Sequence, residues 1–142
     1  MTTVIPQEAT TAAGSLWRDR DDLRWAVRHW AARMEVPVPR TYVRPMRTKW
    51  ASISTAGRLT LDSTLLNLPR ELGEFVIVHE LVHLLVPNHG TVMKHFLFAY
   101  MPDWQQRERS LQCQRREIEV RERRATNRRR RGARTEHPAS IA

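Results

Sequence analysis

The chain has 142 residues, a 41% hydrophobic fraction and a formal charge of +9, which fits one modest core with tails. A single cysteine, Cys113, excludes an internal disulfide framework and a multi-cysteine zinc knuckle, and it fits a reducing compartment. The opening MTTVIPQEATTAAG lacks a basic start followed by an apolar run, and apolar stretches such as Phe75-Val76-Ile77-Val78 are too short to span a bilayer, so a cytoplasmic protein without membrane contact is expected.

Residues 1–14, rich in Thr and Ala, read as a mobile N-terminal arm. From Ser15, a candidate N-cap, to about Glu35 the pattern is helical. Leu16, Leu23, Val27, Trp30 and Met34 share one face, and Pro37-Val38-Pro39 stops the helix. Thr41–Arg47, Lys49–Ser54 and Arg58–Asp62 read as short strands of a small antiparallel sheet, with Ala56-Gly57 as a turn. Asn67-Leu68-Pro69 opens a helix over about 70–86 that is apolar on most sides and therefore buried. Pro87 ends it. A second helix over 91–101 turns Val92, Phe96, Leu97 and Tyr100 inward, and Pro102-Asp103 breaks that one. A charged helix follows from Trp104 to Ala125, and the Arg-rich chain after Thr126 reads as a disordered basic tail. The organisation expected is thus an arm (1–14), a catalytic domain (15–110), a charged helical extension (111–125) and a tail (126–142).

The chemistry concentrates in His79-Glu80-Leu81-Val82-His83. Residues four apart on a helix share a face, so the two imidazoles can hold adjacent corners of a tetrahedral zinc ion. Glu80 points about 100° away around the axis, where it reaches a water at the metal and not the metal itself. A catalytic zinc takes three protein ligands and keeps one position open. Pro87 breaks the helix four residues after His83, and the turn behind it can bring His89 back as the third. Glu108 and Glu117 are alternatives for that place. An unpaired carboxylate in the most apolar helix of the chain is costly, and a metal in a solvated cleft resolves the cost. Imidazole donors on a helix suit Zn2+ best, although other divalent ions with nitrogen affinity fit the same set.

The rest of the chain carries less. Tyr100 and His95 are oxyanion-stabiliser candidates only by nearness in sequence, and Arg58–Asp62 is the guess for a substrate-binding sheet edge. The five tryptophans read as packing residues, not base-stacking ones, and Cys113 as a bystander. The charge is uneven: residues 1–102 carry 12 Lys and Arg against 9 Asp and Glu, and residues 103–142 carry 12 against 6. The mixed-sign helix reads as a solvated face. Arg128, Arg129, Arg130, Arg131 and Arg134 form a cationic stretch able to contact phosphate backbones of RNA, the ribosome or DNA without sequence choice.

Taken together, Val78–Leu84, Pro87-Asn88-His89, Pro102-Asp103 and the upstream Arg44–Ser52 resemble the YgjP-like metallopeptidase family, which is related to the SprT-like and other zincin peptidases. The resemblance covers roughly residues 40–110. It implies an α+β zincin-like fold: an N-terminal helix, a small sheet, the active-site helix and downstream helices. It also implies His79, His83 and His89 as zinc ligands and Glu80 as catalytic base, acting on a peptide or protein substrate. The family's Arg-Trp-Gly-Ser-Cys reads Lys49-Trp50-Ala51-Ser52-Ile53 here, and an aromatic pair common after the third histidine reads Met93-Lys94. Val86 stands where metzincins carry glycine. Two other activities compete with a peptidase: hydrolysis of another bond such as a nucleotide phosphoanhydride, and a non-catalytic zinc module attached to nucleic acid by its Arg-rich end.

Overall fold

A computed structural model describes residues 15–135, with the side chains of Arg134 and Thr135 outside the described set. The expected arm over 1–14 and the end of the tail after 135 lie outside the described residues. Helix α1 spans Arg20–Met34, sheet strands β1, β2 and β3 span Arg40–Arg44, Ala51–Ile53 and Arg58–Asp62, and helices α2, α3 and α4 span Arg70–Val82, Thr91–Tyr100 and Trp104–Thr135. A 3-10 turn over Ser63–Asn67 joins β3 to α2. The described residues fall into two compact units that divide between Glu108 and Arg109.

Helix α1 begins later than the sequence pattern predicts. Asp19 is the N-cap, its carboxylate accepting from the Asp22 N–H, so Ser15 is not a cap and Leu16 is half-exposed outside the helix. The apolar face then runs as expected through Leu23, Val27, Trp30 and Met34, all buried. Glu35 closes the helix in the left-handed region (φ 57°), its N–H bonded back into the last turn.

The sheet is mixed, not antiparallel. Its order is β1-β3-β2: β1 pairs with β3 in parallel, and β2 pairs with β3 antiparallel. The short turn at Ser54–Gly57, with Gly57 at φ 86°, makes a hairpin of β2 and β3. β1 then lies on the far side of β3, in register from Arg40↔Arg58 to Arg44↔Asp62. β3 is therefore the central strand, buried from Leu59 to Asp62. The guess that Arg58–Asp62 forms the substrate-binding edge is corrected: both of its sides are already paired, and β1 and β2 are the edges. The Asp62 carboxylate, 1% exposed, accepts from the backbone N–H groups of Met46 and Thr64 and so fixes the chain on either side of the sheet.

Helix α2 is the centre of the first unit. It packs against α1, α3, β2 and the 3-10 turn, and Leu72, Phe75, Val76, Ile77, Val78, Leu81 and Val82 are all buried. Contacts on several sides explain why its sequence is apolar around the whole circumference. Regular helix stops at Val82, sooner than the predicted 86, and tightens through Leu84 and Leu85. Helix α3 buries Met93 and Leu97; Val92 is exposed and Phe96 and Tyr100 are half-buried, so the inward face predicted for it is only partly correct.

Helix α4 continues to Thr135, beyond the predicted end at Ala125. Low hydrophobicity reads as disorder, yet Arg, Glu and Gln are strong helix formers, and Glu117–Arg121 and Glu119–Arg123 stand at supporting i,i+4 spacing. Among the described residues no helix is long and apolar enough to cross a membrane.

Candidate metal centre

His79 lies in the last turn of α2 and His83 is the helix C-cap, still in right-handed helical conformation (φ −65°, ψ −16°). The chain then turns through Pro87 and Asn88 and delivers His89 just before Gly90, the N-cap of α3. The three rings converge. Centroids are 5.1 Å apart for His79–His83, 5.5 Å for His79–His89 and 4.6 Å for His83–His89. One nitrogen from each lies within 4.8 Å of the others, and among the described residues this is the one cluster of three or more metal-binding side chains. Glu108 and Glu117 do not join it.

The donor set fits a divalent ion. Burial, then the neighbouring His83 and His89, pull the His79 pKa down to about 4, so that ring is a neutral nitrogen donor at physiological pH. His83 Nδ1 stands 3.2 Å from the Val86 carbonyl, and donating there leaves Nε2 free as ligand. This orienting carbonyl has no signature in the side-chain sequence; the signal for it was the helix break at Pro87, which turns the backbone back toward His83. Phe75 closes against His79 edge-on at 5.8 Å.

Glu80 projects beside the triad into a cleft of about 430 Å³, one wall formed by the end of α2 with His79, His83 and His89 and the other by β2 with Lys49 and Ser52. Burial raises the Glu80 pKa to about 7, with Lys49 and His89 partly offsetting it. Sequence reasoning noted the Lys49–Ile53 segment without placing it in the cleft.

Tyr100 and His95 lie on α3 and are not among the residues that line this cleft. Trp17, Trp30 and Trp104 are buried as packing residues, whereas Trp25 is exposed and stacks on His29. Cys113 is exposed and free. Arg128–Arg131 are exposed and helical, so consecutive side chains step around the axis by about 100°. The Arg134 side chain lies outside the described set.

The two shifted groups of the cleft give metal-free protein an expected pH profile between pH 4 and 8. His79 is depressed, so its contribution to stability is complete above pH 6.5 and is lost as pH falls toward 4. Glu80 is raised, so its contribution is complete below pH 4.5 and is lost as pH rises through 7. The opposed slopes flatten the wild-type curve between them. Glu80→Gln removes the second and leaves stability rising with pH; denaturant melts of both proteins across pH 4–8 measure this. Parallel curves would contradict the buried-carboxylate account.

A helix end carrying His79, Glu80 and His83, with His89 brought back by the turn that follows and a small sheet across the cleft, is the arrangement of a zincin-like metallopeptidase. The chain matches the family model for the YgjP-like metallopeptidase domain over residues 17–114 and belongs to that family. It is thus a metal-dependent hydrolase of the peptidase class, with peptide or protein as its substrate. Its fold is similar to those of two crystallised metallopeptidase zymogens. Jannalysin of Methanocaldococcus jannaschii superposes with a TM-score of 0.59 at 23% identity, covering 65% of this chain and 95% of jannalysin. Abylysin of Pyrococcus abyssi gives 0.59 at 22% identity, covering 65% and 93%. No curated protein is significantly similar to the chain.

Proposed function

We propose that the chain is a zinc peptidase in which His79, His83 and His89 hold the ion and Glu80 is the general base. The convergence of three imidazoles beside a carboxylate in an open cleft carries this reading. A divalent ion held there supplies Lewis acidity to a carbonyl and lowers the pKa of a water to about 7. Glu80, beside the triad on the wall of the cleft, is placed to accept a proton from the attacking water and return it to the leaving amine. The substrate backbone can lie along the edge strand β2, whose unpaired side offers hydrogen-bonding groups to an extended chain. The family match supports a peptide over the competing phosphoanhydride, and parallel assays on peptides and nucleotides separate the two.

The ligand set has its own test. Elemental analysis of purified protein is expected to give one zinc per chain, and His89→Ala should weaken zinc affinity by about 100-fold or more. Wild-type affinity in that variant would remove the third ligand from the proposal and with it the present site.

A further inference from the structure

Resting on the peptidase reading, we infer that Lys49 makes the cleft selective for peptides that present a carboxylate close to the scissile bond. Among the side chains lining the cleft Lys49 is the one lysine or arginine and Glu80 the one carboxylate; Ser52, Ser54 and Thr55 beside them are polar without charge. Glu80 is committed to the reacting water. Lys49 is exposed, and among the described residues it makes no hydrogen bond or ion pair. The arginines that are locally paired in this unit, such as Arg24 with Asp21 and Arg107 with Asp103, show the ordinary alternative. Its field reaches Glu80, but with no anion in direct contact the ammonium on the wall of the cleft is a recognition element available to an incoming anion.

Its place in the fold sets what it can read. Lys49 stands just ahead of β2, at one end of the edge along which the substrate backbone would lie. The flexible four-carbon stem lets the ammonium follow a carboxylate without the fixed geometry a guanidinium would require. A divalent ion held by the three histidines would add to the positive field of the cleft and favour an anionic ligand over a cationic one. The carboxylate has two sources in a peptide: an Asp or Glu side chain, or the α-carboxylate of a C-terminus.

The test uses full-length zinc-loaded protein and a peptide set with Glu or Gln at each of three positions on either side of the cleaved bond, each made as free acid and as C-terminal amide. Wild type is expected to favour the acidic member of a pair by roughly two- to fivefold in kcat/KM, a modest ratio because the pair is solvated, and the ratio should fall with added salt. Preference at an internal position identifies the side chain; preference for free acid over amide identifies the C-terminus. Lys49→Met should bring the ratio to about one, and Lys49→Glu should invert it. The same ratio should appear in the binding of labelled peptides to zinc-loaded Glu80→Gln protein. If Lys49 serves only to tune Glu80, its variants will move the pH profile for every peptide equally and leave the ratio intact, which overturns the inference. Cleavage without charge preference overturns it as well and leaves the peptidase reading standing. Tighter binding of acidic peptides with no cleavage of any peptide would uphold Lys49 as a carboxylate-binding group and overturn the peptidase reading together with the placement near a scissile bond.

Discussion

Glu80→Gln protein is expected to retain its zinc and to lose about 10²–10⁴-fold in kcat, the range for a positioned general base. The substitution is isosteric, so the helix and the three histidines keep their positions. The amide cannot accept a proton, so the attacking water is no longer activated. The same change removes a buried carboxylate whose ionised form is disfavoured, since burial already lifts its pKa to about 7. Metal-free Glu80→Gln protein should therefore be more stable than wild type above neutral pH, the opposite sign to its effect on turnover. That pairing of gained stability and lost activity is characteristic of a group retained for chemistry, not for folding. Zinc content, steady-state hydrolysis and denaturant melts on the two proteins check it. Turnover within a few-fold of wild type would remove Glu80 from the mechanism.

The parts of this site that were legible in the sequence are those set by local geometry. His79 and His83 meet because four residues make about one helical turn, and that holds wherever the helix sits. His89 was legible because Pro87 fixes where the helix must fail. The Arg58–Asp62 boundaries are equally local. What escaped was set by pairing between distant residues. Nothing in the alternation of Arg58–Asp62 tells whether its neighbours run parallel, and so the central strand reads as an edge. Lys49 enters the cleft only because β2 packs against α2. The Val86 carbonyl acts through the backbone, which a side-chain pattern does not record. The Arg-rich end misled for another reason: composition measures whether a segment can bury surface, while α4 needs only local helix propensity and favourable charge spacing.

Arg70→Met should destabilise the protein by about 3–5 kcal/mol, a large share of the roughly 5–15 kcal/mol that holds a domain folded. Asp22 lies on α1 with its side chain 3% exposed, and it accepts from the Arg70 guanidinium at the first residue of α2 and from the Arg18 backbone N–H. Burial alone would raise the Asp22 pKa, but these two bonds and the charges of Arg70 and Arg18 more than offset it and leave it below the ordinary value. Arg70 also stacks over Trp17 at 4.2 Å, and Trp17 lies so close to Gly73 that a Cβ there would meet the indole at 2.7 Å. The knot thus sets where the metal-binding helix begins against α1. Methionine keeps much of the apolar stem and removes the charge, leaving a buried carboxylate that must either ionise unpaired or take up a proton. The sign follows. The depressed wild-type pKa contributes stability at neutral pH that is lost as pH falls below 3.8, while in the variant the same carboxyl rises and is relieved by protonation. The stability difference between the two proteins should therefore be largest at neutral pH and shrink in acid. Asp22→Asn combined with Arg70→Met should recover much of the loss, because the stranded charge is gone. Denaturant melts at several pH values measure all three proteins, and a pH-independent difference that the double variant does not reduce would mean the cost comes from lost packing on Trp17 and not from the ion pair.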